Sequence, residues 1–520
     1  MILRKLLVAI VPLLALPIAV GAIYRPDRAI RVGTITVADV VCAKTFISGL
    51  DPELIFAETM ERPGLRRLRF GMRYHIDRDA RAVEASLMGL FRSRSEFHDG
   101  FGCVERHGSK DPYLLKSDIE ALRTAKTAPL LPEIAGPAPV EPSDPALKAA
   151  LDHAFEEPAE PPFRRTKAIV VVHDGKVIAE RYATGLGVGV DTQLLGFSMT
   201  KSVINALLGI MTQQGLTSPS LPAPIPAWHG ATDPRREIEI GHLMRMTSGL
   251  ALDETNSGFD PSSQMYLYDD MAAYAVTAPL IAPPGTRFAY SSATTQILAR
   301  IIRDALGGPE QALAFAWREL FNPLGMRHVT LQFDASGTMQ GSANLLASAR
   351  DWARFGLLYL NDGVIGGKRI LHEDWVAYSA AATLDSEYGA GFYTNRSEHP
   401  NAKGRALSGI PRDAFFAFGF LGQRMVIVPS QRMVVVRLGD SVDRSGDMRR
   451  CAAGQGGDRR NTMTITPARP RKARPSRARV DRRGGRECAR ETPAPSGIPA
   501  RARREPWPPQ AESSSGCRPP

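Results

Sequence analysis

Three hydrophobic patterns divide this chain. The first is an uncharged run from Leu6 to Tyr24, preceded by Arg4 and Lys5. As a helix it would be about 28 Å long, close to the ~30 Å hydrocarbon core of a bilayer. It exceeds the apolar stretch of an ordinary cleaved leader, so residues 1–24 read as a signal anchor. A signal peptide cleaved after Ala19-Val20-Gly21 is the alternative. Arg25, Arg28 and Arg31 follow at once, so flanking charge does not settle orientation.

The second pattern is β-like. "AIVVVHDGKVIAERYA" has two β-branched runs joined by Asp174-Gly175, which predicts a hairpin. "QRMVIVP" and "RMVVVRLGD" predict another strand pair over Gln423 to Asp440. The third pattern is helical and fills the interval between. It includes a helix opening at Ser198 and running to about Gln214, then "GHLMRMTSGL", "ATTQILARIIRDAL" and "LLASARDWARFGLLYL". Strands, a long helical middle and strands again predict an α+β body, an antiparallel sheet flanked by helices with a helical lobe inserted.

Outside that body the chain is harder to read. Residues 25–130 mix short apolar runs with basic patches and are taken as an N-terminal pre-domain of unknown role. Residues 131–165, with "PLLPEIAGPAPVEPSDPAL", read as a Pro-rich linker or extended wrap. The catalytic body is placed at 166–440. Residues 441–520 have almost no aliphatic content and read as a disordered basic tail. We expect the reading frame to shift near Met448 to Cys451, because "VVVRLGDSVDRSGDMRR" dissolves there into Arg, Pro and Gly.

The formal charge of +11 changes little once located. Nineteen Lys+Arg and eight Asp+Glu lie after Asp440, leaving 46 of each sign before Ser441. The body is neutral, so no nucleic-acid partner is expected. Of five cysteines only Cys42 and Cys103 precede the tail. In an exported protein this pair can form a disulfide, with two buried thiols as the alternative.

The candidate chemistry begins at "LLGFSMTKSVINALLGIM", where Ser198 and Lys201 stand three apart at a helix mouth. A helix N-terminus favours an oxyanion, and a lysine among apolar neighbours can lose its proton and activate the serine. Tyr290, in "APPGTRFAYSSATTQILARII", precedes another amphipathic helix. A phenol beside an ammonium is expected to be held near ionisation and to relay protons. In "FAFGFLGQRMVIVP", Gly419 and Gly422 bracket an expected strand entry, where a backbone N–H near Phe420 can join that of Ser198 in an oxyanion hole.

Ser-x-x-Lys, Tyr-Ser-Ser about ninety residues later, and a glycine-rich segment near the end resemble the penicillin-recognising serine hydrolases. More narrowly, "SMTKSV", "HLMRMTSGL", "PPGTRFAYSS", "NPLGM", "ARDWARFGLLYLNDGVIGGKRIL" and "GFLGQ" are similar to the 6-aminohexanoate-dimer hydrolase branch of the class C β-lactamase-related enzymes. The resemblance implies the β-lactamase/transpeptidase-like fold and no metal or organic cofactor. It implies Ser198 as the acylated nucleophile, Lys201 and Tyr290 sharing base and acid duty, and the Ser198 and Phe420 amides as oxyanion donors.

Two departures shape the substrate expectation. Tyr290-Ser291-Ser292 stands where Tyr-x-Asn is usual, and Phe420-Leu421-Gly422 where Lys-Thr-Gly is usual. Without that lysine a substrate carboxylate loses a partner. The expectation is therefore a serine hydrolase of small ester or amide substrates, anchored in the inner membrane facing the periplasm, or exported. A β-lactamase or D,D-peptidase and an inactive binding protein of the same fold are the alternatives. An α/β-hydrolase is disfavoured because "GFSMT" lacks the last glycine of Gly-x-Ser-x-Gly, and His242, His328, His372 and His399 sit in no persuasive triad context.

Overall fold

The computed structural model describes residues 25–442 apart from 63, 109–110, 115, 117, 125–127 and 399–408. The expected anchor at Leu6 to Tyr24, the tail after 442, the frame shift and His399 lie outside the described residues. Among the described residues no helix is long and apolar enough to cross a membrane.

The main sheet joins both ends of the body. Among the described residues the strands begin, in chain order, with a separate four-stranded antiparallel sheet, β1 (Met72–Asp77), β2 (Ala82–Leu87), β3 (Leu90–His98) and β4 (Gly102–Arg106). Next come β5 (Thr166–His173) and β6 (Lys176–Tyr182), the expected hairpin, turning at Asp174-Gly175 with φ of 47° and 77°. A small sheet in the order β7 (Leu194–Leu195), β9 (Leu345–Ala347), β8 (Val329–Leu331) leads into the Ser198 turn. A short hairpin, β10 (Val364–Ile365) and β11 (Lys368–Arg369), precedes β12 (Tyr393–Thr394), β13 (Phe415–Gly419), β14 (Gln423–Val428) and β15 (Met433–Gly439). The six-stranded sheet runs β12-β13-β14-β15-β5-β6, so the first and last strands of the body pair directly.

Period-two alternation explains why "AIVVV" is apolar throughout. Ala168, Val170 and Val172 face the main core, shared with the Ala349–Leu360 helix. Ile169 and Val171 face the opposite side and meet Leu151. Leu151 belongs to a helix, Pro145–Phe155, capped by the Asp144 side chain. The 131–165 stretch is thus not simply a linker: it covers one face of the sheet. Its proline content concealed this, because Pro145 is acceptable at the first helical position. Upstream, the Val177 and Glu180 amides donate to the Ile134 and Val140 carbonyls. The helical lobe lies between Thr200–Gln213 and Ser292–Leu306; of "GHLMRMTSGL" only Ile240–Met244 is α-helical.

Within the expected pre-domain of 25–130, residues 25–107 pack against the body. The Pro26–Phe46 helix lies across the four-stranded sheet, and a disulfide joins Cys42 on the helix to Cys103 on β4. Both sulfur-bearing residues sit in the same core as the body strands. The tie to the body is ionic and buried. Lys44 Nζ lies 2.7 Å from both Asp440 carboxylate oxygens, Lys167 Nζ lies 3.0 Å from Asp440 Oδ2, and Glu58 takes Lys167 at 2.9 Å. Arg62 closes the cluster 4.0 Å from Asp440. Although burial opposes it, the Lys44, Lys167 and Arg62 charges hold the Asp440 carboxyl well below the usual carboxylate range. Its contribution is therefore present above the unfolded carboxyl pKa and is lost only as pH falls toward the depressed folded value.

Removing one member of such a cluster strands the others without solvent. Asp440→Asn is expected to cost about 3–5 kcal/mol in urea denaturation at neutral pH; a loss below about 1 kcal/mol, the scale of an exposed pair, would contradict a buried tie.

Candidate active site

Gly196 to Met199 turns sharply after β7. Phe197 holds a left-handed φ of 47°, and the 3-10 turn Phe197–Met199 runs on into the Thr200–Gln213 helix. The α-helix thus opens two residues later than expected. Ser198, half-buried, lies at its mouth. Lys201 Nζ is 3.0 Å from Ser198 Oγ, 3.0 Å from Ser292 Oγ and 2.8 Å from the Ser342 carbonyl oxygen. Ser292, the third residue of Tyr290-Ser291-Ser292, thus stands beside the lysine.

Lys201 is only 3% exposed, and Met244, Met246 and Leu298 line a small cavity with it. Burial lowers its ammonium pKa to about 8, with the Glu254 carboxylate pulling the other way. Tyr290 places its ring 4.9 Å from Lys201 Nζ. The expectation that this phenol is held near ionisation is corrected. Burial pushes it well above its ordinary value, Tyr393, Tyr388 and Glu254 push further, and the nearby Ser198 side chain opposes them. Tyr388 and Tyr393 pack on Tyr290 with ring centroids 5.6 and 6.0 Å away, a water-excluding cluster that no local stretch of sequence displays.

Glu254 escaped the sequence reading. Its Oε2 accepts from the Ser292 N–H at 2.6 Å, and its own N–H donates to the Tyr290 carbonyl at 3.2 Å. A carboxylate is thereby fastened to the turn that carries Tyr290 and Ser292. The only sequence signal was its position a few residues after "MTSGL", in a stretch that looks like a polar loop.

Phe420 lies in the hairpin turn between β13 and β14, at the entry to β14. The turn is pressed against Ser198's own: a Cβ on Gly419 would come 2.1 Å from the Gly196 carbonyl oxygen. Leu421 has a φ of 58°, so a left-handed residue follows Phe420 just as one precedes Ser198. The Phe197 and Phe420 rings meet edge to face at 5.5 Å, and the Arg62 guanidinium lies 5.3 and 5.8 Å from their centroids. Residues 25–107 thus reach the back of the site. The histidines are engaged elsewhere: His242 Nδ1 accepts from the Glu239 N–H, and His328 meets Asp191 at 3.1 Å.

A family model described as Beta-lactamase matches residues 152–455. The chain belongs to that family. The 6-aminohexanoate-dimer hydrolase of Paenarthrobacter ureafaciens is 25% identical over 291 residues, covering 52% of this chain and 72% of that one. Among solved structures, a penicillin-binding protein homologue from Caulobacter crescentus is 18% identical with a TM-score of 0.45, covering 59% of this chain and 94% of that one. A family VIII carboxylesterase is 16% identical with a TM-score of 0.48, covering 64% and 98%. The chain therefore has the β-lactamase/transpeptidase-like fold and is a serine hydrolase of the ester- and amide-cleaving kind. Residues 25–151, Arg62 included, lie outside the matched span.

The Glu254 charge favours the Lys201 ammonium, so removing it lowers the Lys201 pKa further below about 8. The rate of phosphonylation by a fluorophosphonate should rise with pH as Lys201 deprotonates, and Glu254→Gln should move that limb to lower pH. A limb that stays put or moves upward would contradict this electrostatic reading.

Proposed function

We propose that Ser198 attacks the carbonyl carbon of a small ester or amide, forming an acyl-enzyme. The observation that carries this is Lys201, buried, shifted to about 8 and 3.0 Å from Ser198 Oγ. With that pKa about one-tenth of the lysine is neutral at pH 7, whereas Tyr290 keeps its proton. Lys201 therefore takes the serine proton, and the Ser198 and Phe420 amides hold the oxyanion. Tyr290 donates its proton to the departing nitrogen or oxygen and is reprotonated by the Lys201 ammonium. Water then attacks the acyl carbon, giving its proton to the same pair as Ser198 Oγ leaves with one.

Arg62 acts as a positioning residue in this scheme. Its cation lies over both Phe197 and Phe420 and braces the two left-handed turns that aim the oxyanion amides. Strained backbone of this kind costs about 1–2 kcal/mol per residue and persists only where surrounding contacts over-determine it.

Phe420 and Leu421 in place of a lysine motif favour a substrate without a carboxylate at that position. Amides belong in the range because the Paenarthrobacter relative is named for one such hydrolysis. A β-lactamase or D,D-peptidase is the second reading, favoured by the family match itself. For location we propose a membrane-anchored protein facing the periplasm, or an exported one. The uncharged run Leu6 to Tyr24 and the buried Cys42–Cys103 disulfide support an oxidising compartment.

Intact mass after fluorophosphonate treatment tests the reading. One adduct, absent in Ser198→Ala, is expected, with little labelling by a fluorescent penicillin. Failure of a folded protein to label would favour the inactive binding protein, and rapid penicillin labelling would favour the second reading.

A further inference from the structure

The four-stranded sheet ends in an apolar tip whose chemistry is unusual for a surface turn. Phe70, Met88 and Leu90 are 72%, 70% and 64% exposed, the three most exposed large hydrophobic residues of the described chain. They are neighbours. Met88 donates its N–H to the Gly71 carbonyl at 2.8 Å, next to Phe70, and Leu90 pairs with Leu87 across the two-residue turn Met88-Gly89.

That turn has φ of 53° at Met88 and 74° at Gly89. Two positive φ values call for Asn, Asp or Gly at the first position. The same chain follows the rule elsewhere: Asp174-Gly175 has φ of 47° and 77°, and Gly366-Gly367 has 57° and 78°. At the tip a methionine instead accepts a strained backbone and points its apolar side chain at solvent. Neither folding nor solubility is served by that choice.

Around the tip the charge is of one sign. Residues 64–71, "GLRRLRFG", and 86–92, "SLMGLFR", contain four arginines and no acidic residue. Arg66, Arg67, Arg69 and Arg92 are all exposed. Apolar side chains protruding through a ring of cations match a bilayer with anionic headgroups.

The connection to the preceding chain fits that occupant. The Pro26–Phe46 helix and β3 run the same way: Thr34 Oγ1 meets Ser93 Oγ at 2.7 Å near their starts, and Phe46 stacks on Phe97 at 5.8 Å near their ends. Counting back, Pro26 lies about 12 Å before Thr34 and Leu90 about 10 Å before Ser93. The helix start and the tip therefore share one end of this unit.

We propose that Phe70, Met88 and Leu90 insert into the interface of an anionic phospholipid bilayer, with Arg66, Arg67, Arg69 and Arg92 against its headgroups. This surface is distinct from the Ser198 site and does not depend on the hydrolase chemistry. It orients the protein on the membrane whatever other segments of the chain also bind there.

Hydrogen–deuterium exchange of the full chain tests it, using phosphatidylcholine vesicles with and without phosphatidylglycerol. With phosphatidylglycerol, amides in 64–71 and 86–92 should exchange several-fold more slowly, while those of β5 are unchanged. Arg67→Gln and Arg69→Gln should each lower partitioning about fivefold. Met88→Asn relieves the turn, so it should hold or raise the melting temperature yet lose the protection, a combination that a purely structural role for Met88 would not produce. Vesicle-bound protein with unprotected tip peptides would overturn the proposal, as would absence of any vesicle binding. Protection that appears without vesicles and grows with protein concentration would overturn it in favour of a second copy of the chain.

Discussion

Everything in this structure hangs on the carboxylate of Asp440. It ends the last body strand, and it is held by Lys44 from the N-terminal helix and Lys167 from β5, all three buried. Glu58 and Arg62 complete the cluster. A single anion without solvent is expensive, and so is each cation; the arrangement survives only with all of them in place. That mutual dependence welds three sequence-distant pieces into one body. It also sets Arg62 against Phe197 and Phe420, the rings beside the two turns of the site.

The site uses burial in a second way. Lys201 and Tyr290 lie in one dry pocket, but removal from water has opposite effects on their readiness as bases. It lowers the ammonium toward neutrality and raises the phenol away from ionisation. In the proposed mechanism the same surroundings sort the two groups into a base and an acid. Glu254, the carboxylate hydrogen-bonded to the Ser292 amide, limits how far the lysine falls.

Much of this was legible in the residues. The β5–β6 hairpin, the β14–β15 pair and the helices after Thr200, Ser292 and Ala349 follow from local periodicity and turn chemistry, which short segments carry within themselves. Ser198 and Lys201 were legible because one helical turn sets their spacing. Tyr290's ionisation was not, since Tyr388, Tyr393 and Glu254 arrive from far along the chain. The integration of residues 25–107 was hidden for a similar reason: Val37, Cys42 and Cys103 bury themselves in a core whose other wall belongs to the body. The Pro145–Phe155 helix was masked by proline on both sides.

The account's central claim is that the N-terminal segment completes the oxyanion site through Arg62. The direct test is the rate of fluorophosphonate acylation of Arg62→Met beside its melting temperature. Removing one cation from the buried cluster is expected to lower the melting temperature, so the rate is read at a temperature where the variant is folded. Misplacing the oxyanion turns is expected to slow acylation about a hundredfold. A variant that is folded at the assay temperature yet acylates far more slowly than the parent is the predicted result. Parental acylation by the folded variant would contradict it, and would leave residues 25–107 as cover for the body with no part in its chemistry.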